Sequence, residues 1–247
     1  MKLLCIGNSF SQNACAFMAK IAEAGNFDLT TVNLFIGGCP LERHCENIGK
    51  SDDEHLYVKY VDAVKVGKIS LDEALAEDKY DIVSVQQASP VSGVWETYVP
   101  YLEELVSHVR KFQPEAKIAV HQTWAYEVDS QIPRYGTRQV MHDSLTECYK
   151  RAYELINADL FIPCGNVIEA LRCDAAFNPE LYGTRLSSDG KHLSACYGNY
   201  AAGLTWCAAL GMKDVEENTF LPPFVDVRRD KIDIIKKTVK SIVSEEA

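Results

Sequence analysis

Five short apolar runs, each followed by a stretch of helical periodicity, constrain this chain more than any other feature. The runs are residues 3–6, 29–36, 81–87, 117–122 and 159–163. Each is too short for a helix and is bounded by glycine, proline or amide side chains. Between them, apolar residues recur at helical spacing: Phe10, Ala14, Phe17, Met18 and Ile21, then Leu102, Leu105, Val106, Val109 and Phe112, then Met141, Leu145, Cys148, Ala152 and Leu155. Strands that alternate with helices predict an α/β fold with a doubly wound, mostly parallel sheet of five strands. Residues 57–69 alternate as a small hairpin, the favoured reading, although Leu56, Tyr60, Val61 and Val64 also fit a helix; Ser70 with Glu73 is a capping box that opens a short helix. Further short helices are expected around 41–48 and 167–172, and a final one over 227–244. Residues 127–137, with Pro133 and Gly136, read as loop, and 174–191 as an irregular segment. No linker, repeat or low-complexity run divides the chain, so one domain over 1–247 is expected, with its core in 1–210.

Composition removes several classes of function. The net charge of −10 gives no cationic face for nucleic acid or an anionic membrane. No stretch approaches the ~20 apolar residues of a membrane span. Nine cysteines include no C-x-x-C pair, so neither a zinc site nor a dithiol motif is expected. Most lie in apolar stretches as small hydrophobes, and no leader pattern follows Lys2. A reducing, cytoplasmic setting is therefore the expectation. Nothing in the sequence reports on oligomeric state.

A parallel sheet delivers the last residues of every strand to one rim, where open α/β folds bind ligands. Here the rim holds Asn8, Ser9, Gly37, Gly38, Gln86, Gln87 and residues 122–126. The dinucleotide fingerprint, the P-loop and the G-x-S-x-G elbow are all absent, so no cofactor is called for. A serine, amides, glycine N–H groups and aromatics remain, which is equipment for acyl transfer. Ser9 has two readings, a helix cap or a nucleophile, and the second needs an imidazole with an orienting acceptor. His44, His55, His108 and His142 occupy surface-like helical or loop contexts. His121, within the fourth run, is either a core histidine or a rim residue. His192 stands three residues after Asp189, and a turn through Gly190 would bring carboxylate and imidazole together.

These segments together resemble the SGNH (GDSL-type) hydrolases, and within them a bacterial branch that begins G-N-S-F-S. Gly7-Asn8-Ser9-Phe10-Ser11 is similar to the first block, with asparagine where aspartate is usual. Gly38 matches the second-block glycine and Asp189-x-x-His192 the last block. The resemblance implies a flavodoxin-like α/β/α sandwich and a serine esterase in which Ser9 attacks, His192 is the base and Asp189 orients it. The oxyanion donors it implies are the N–H groups of Ser9 and Gly38 and a third-block amide. Most members carry G-x-N-D in that block; here Val85-Gln86-Gln87-Ala88 stands instead, which assigns the role to Gln87 with Gln86 in reserve. Gln86, Trp95, Trp124 and Tyr126 are candidates for substrate contact, and the three aromatics read equally well as packing under loops. A small acyl group, an O-acetyl on a carbohydrate above all, is the expected substrate. A thioesterase or short-chain lipid esterase, and an inactive carbohydrate-binding protein on the same fold, are the competing readings. Asn8 is expected to bridge the second- and third-strand loops without carrying charge.

Overall fold

The computed structural model describes residues 1–128, 130 and 134–246. Residues 129 and 131–133, within the loop expected at 127–137, lie outside the described residues. The strands are β1 (Lys2–Gly7), β2 (Thr30–Phe35), β3 (Tyr57–Val61), β4 (Val64–Ile69), β5 (Ile82–Val85), β6 (Lys117–His121) and β7 (Leu160–Ile162). They form one sheet in the order β4-β3-β2-β1-β5-β6-β7. The five expected parallel strands are present, in the order 2-1-5-6-7. The strand count is corrected from five to seven. The hairpin at 57–69 forms, and β3 lies antiparallel on the outer edge of β2, pairing Val61 with Val32 and Val58 with Phe35. It thereby satisfies backbone groups that β2 would otherwise expose.

The helices are α1 (Ser9–Cys15), α2 (Met18–Ala24), α3 (Leu41–Glu46), α4 (Leu71–Ala76), α5 (Tyr101–Phe112), α6 (Arg138–Leu155), α7 (Cys164–Cys173), α8 (Tyr197–Ala209) and α9 (Arg229–Glu246). The single helix expected after Ser9 is in fact two, broken at Phe17, whose φ of −123° and ψ of 0° leave the helical region. The capping box at Ser70 and Glu73 forms, with both reciprocal bonds made. Helices α1, α2, α7 and α9 all pack on α8, while α3 and α4 pack on α5. Helix α8 is apolar nearly all round (Tyr197 to Cys207 are buried), as a helix enclosed by other helices and a sheet must be. Among the described residues no helix is long and apolar enough to cross a membrane. The chain leaves β1 toward β2 in one direction and reaches β5 in the other. This reversal makes the carboxyl ends of β1 and β5 the switch point, where a crevice forms in open α/β sheets.

Candidate active site

At that point β1 gives way to α1 through a single residue, Asn8. Asn8 is extended and caps α1, its Oδ1 accepting from the Phe10 N–H at 3.0 Å. Gly7 is required for lack of space: a Cβ there would lie 2.4 Å from Ser11 Oγ. Ser9 is thereby the first residue of α1, and half-buried.

Its partner comes from the other end of the chain. His192 Nε2 lies 2.9 Å from Ser9 Oγ, and His192 Nδ1 lies 2.7 Å from Asp189 Oδ2. The other carboxylate oxygen accepts from the backbone N–H groups of Lys191 and His192, at 2.9 and 2.7 Å. Burial works against ionisation of Asp189, but the hydrogen bonds from the His192 ring and these two N–H groups outweigh it and hold its carboxyl at about 2. Aspartate therefore stays charged through neutral pH and fixes Nδ1 as the protonated nitrogen, leaving the Nε2 lone pair toward serine. Two other histidines also have an aspartate: His55 Nδ1 lies 2.6 Å from Asp52 and His108 Nε2 2.7 Å from Asp72. Neither has a hydroxyl on its second nitrogen, so among the described residues only His192 joins an aspartate on one ring nitrogen to a serine hydroxyl on the other.

The N–H groups of Ser9 and Gly38 donate to no partner among the described residues. Gly38 is exposed in the left-handed region (φ +63°) that turns the loop after β2. Gln87 does not serve the oxyanion role expected of it. It is wholly buried, and its Nε2 donates to Thr97 O and Thr97 Oγ1, at 2.8 and 3.1 Å. Its Oε1 accepts from the Leu41 and Ala88 N–H groups, at 3.0 and 2.8 Å. Gln87 ties three loops together and has no donor left for substrate.

Gln86, the reserve, is also withdrawn from substrate, because it is a link in a buried polar strap under Ser9. His121 Nδ1 donates to Gln86 Oε1 (2.7 Å), Gln86 Nε2 to Asn8 Oδ1 (2.8 Å), and Asn8 Nδ2 to Cys39 O (3.1 Å). Asn8 thus joins the loops after β2 and β5, as expected, and the strap runs on to β6. The Phe10 N–H sets its polarity: it needs an acceptor, so Asn8 offers oxygen to it and nitrogen to Cys39. Gln86 must then donate to Asn8 and accept from His121. Sequence reasoning missed this link, although Val85 pairs with Val120 and places polar residues 86 and 121 side by side at two strand ends.

Position 8 follows from this chain. An Asn8→Asp variant, which restores the residue usual in the resembling family, would bury a carboxylate oxygen against the Cys39 carbonyl. It is expected to lose about 1–3 kcal/mol of stability at pH 7 and to recover part of it on acidification, when the protonated acid again donates. Unfolding in urea at two pH values checks this; wild-type stability at pH 7 would contradict it.

Burial also holds His121 and His44 neutral, each pushed down to about 3. His44 is wholly buried against Tyr57 and Cys39, not surface-like as its context indicated. The unfolded chain takes up these protons near pH 6.5 and the folded chain does not, so stability falls as pH drops from there toward 3. The loss is about 1.4 kcal/mol per pH unit for each histidine. His121→Asn keeps a donor for Gln86 and is expected to shrink the stability difference between pH 7 and pH 5 by about 2 kcal/mol. An unchanged difference would contradict the assignment.

The aromatics expected at the substrate are mostly structural. Trp124 is wholly buried, stacked on Phe10 with centroids 4.3 Å apart, and its Nε1 donates to Lys191 O at 2.8 Å. Trp95 packs against Tyr98, with the Arg151 guanidinium 4.0 Å over its ring. Tyr126 is 6% exposed, bonds Ser89 Oγ at 2.9 Å and has the Lys191 ammonium over its ring. Of the three, Trp124 and Tyr126 lie against the His192 turn, both through Lys191.

Comparisons with known proteins show which family the chain belongs to and which solved structures share its fold. The family model described as "Domain of unknown function (DUF4886)" matches residues 2–239, and the chain belongs to that family. A DUF4886 protein of known structure from Bacteroides uniformis is 31% identical, with a TM-score of 0.87 over 98% of this chain and 94% of the other. A candidate SGNH hydrolase from Slackia heliotrinireducens is 21% identical, with a TM-score of 0.60 over 85% of this chain and 99% of the other. A catalytic mutant of Axe2, an acetylxylan esterase from Geobacillus stearothermophilus, is 18% identical, with a TM-score of 0.55 over 86% and 94%. No curated protein matches the chain in sequence.

Proposed function

We propose that this protein is a serine esterase that hydrolyses small acyl esters, O-acetyl groups on carbohydrate above all. The observation that carries the reading is the unbroken chain from Ser9 Oγ through the His192 ring to Asp189, at 2.9 and 2.7 Å, assembled across 183 residues of sequence. In this reading Ser9 attacks the ester carbonyl while His192 Nε2 takes its proton. The imidazolium, held by Asp189, then returns the proton to the leaving alcohol, and water repeats the cycle on the acyl-enzyme. The N–H groups of Ser9 and Gly38 receive the oxyanion, at the end of α1 where the helix dipole is positive. Gln87 takes no part.

A small acyl group suits this site because the nucleophile sits at the strand-end rim beside an exposed glycine loop. The fold shared with an acetylxylan esterase makes acetylated xylo-oligosaccharides the first sugars to test. With p-nitrophenyl esters, kcat/KM for acetyl is expected to exceed that for octanoyl by about tenfold or more, since each methylene shifts specificity by ~1–3 kcal/mol in a fitted pocket. The reverse order would replace this reading with a lipid esterase. The intact Ser9–His192 bond argues against an inactive binding protein, for which no such hydrogen bond is needed.

A further inference from the structure

Asp189 and His192 stand on an exposed turn, their side chains 53% and 41% accessible, and α1 alone does not hold it. Support comes from behind, from residues 122–127 after β6. The Glu127 N–H donates to Gly190 O at 2.8 Å, and the Trp124 indole N–H donates to Lys191 O at 2.8 Å. These bonds grip the two residues that separate the acid from the base. Residues 122–127 are themselves irregular and need fixing in turn. Arg172, wholly buried on α7, reaches into them: its Nε donates to Glu127 Oε1 at 3.1 Å and its Nη1 to Ala125 O at 2.8 Å.

We propose that Arg172 is a positioning residue for the Asp189–His192 turn, acting through Glu127 and Trp124; the proposal rests on the esterase reading of Ser9. Arg172 fixes residues 125 and 127, and residues 124 and 127 fix 191 and 190. A buried ion pair is a poor source of stability compared with apolar packing of the same volume. What a guanidinium adds is a rigid fork, able to hold a carboxylate and a carbonyl at a set angle. Catalysis is sensitive to such placement, since a shift of about 1 Å costs ~10²-fold. Glu169, which lies 3.6 Å from Arg172 and is itself paired with Arg138, balances the remaining charge without touching the turn.

Two variants test this. Arg172→Lys keeps a charge beside Glu127 but has no fork to reach Ala125 O as well. Arg172→Met combined with Glu127→Gln removes both charges, so no buried ion is left alone. Each is expected to keep KM for an acetyl ester within about twofold and to lose about 10- to 100-fold in kcat. Labelling of Ser9 by a fluorophosphonate should slow by the same factor, and amide hydrogen exchange in residues 188–193 should quicken. Wild-type kcat and exchange in either folded variant would overturn the proposal. The two readings fail in different ways. Unlabelled Ser9 in the wild type, with exchange still quickened in the variants, would remove the esterase reading alone. A labelled wild type, with variant rates and exchange unchanged, would remove the positioning role alone.

Discussion

Ser9→Ala is expected to lower kcat for p-nitrophenyl acetate by ~10⁴–10⁶-fold, with KM and thermal stability close to wild type. In the proposed reaction this hydroxyl forms the acyl-enzyme. Among the described residues its side-chain partner is His192, which is itself partly exposed, so its removal leaves no fully buried polar group orphaned there. His192→Ala is expected to fall nearly as far, because an uncharged hydroxyl with no base on it is a weak nucleophile. The double variant should be scarcely worse than either single one, since serine and imidazole act as one unit. Additive losses would mean that the two residues serve separate steps. An active Ser9→Ala protein would place the chemistry elsewhere.

Arg172→Met, made alone, is expected to be the most destabilising of these substitutions. It leaves the Glu127 carboxylate, 1% exposed, without its counter-ion in the interior. Breaking a buried pair from one side costs ~3–5 kcal/mol, because the charge that stays behind is neither solvated nor paired. For a domain of this size that is a fall in melting temperature of roughly 6–20 °C. Adding Glu127→Gln should restore most of it, as an amide tolerates burial better than an unpaired carboxylate. Urea or thermal unfolding of the three proteins decides the matter. A single variant within about 1 kcal/mol of wild type would show that Glu127 finds another partner or takes up a proton.

How far the sequence reveals this molecule depends on the range of the interaction concerned. The segments that carry Ser9, Asp189 and His192 are legible from local rules, a strand that breaks into a helix and a three-residue turn through glycine, while their roles come from the resemblance to the SGNH blocks. Their common location follows from topology, since parallel strands end at one rim. Asn8 as a bridge is legible for the same reason. Gln87 is not. Alternation along the run 81–87 says that residues 86 and 87 point apart, but not that loops from Leu41 and Thr97 fold over one of them. Trp124 shows the same limit, because its partners Phe10 and Lys191 arrive from segments 114 and 67 positions away. The seventh-strand count fails more simply. The alternation at 57–69 favours a hairpin without excluding a helix, and the free edge of β2 that decides between them exists only once the sheet is built. Arg172 reads as the ordinary basic end of a short helix, and nothing near it in sequence points to Glu127, 45 residues earlier.

If Ser9 is an activated nucleophile, it will take a covalent label. Incubation with a fluorophosphonate, followed by peptide mass spectrometry, is predicted to give one adduct, on the peptide carrying Ser9. It should be absent in Ser9→Ala and strongly slowed in His192→Ala. An unmodified Ser9 in the intact protein, or an adduct on a different serine, would contradict the account.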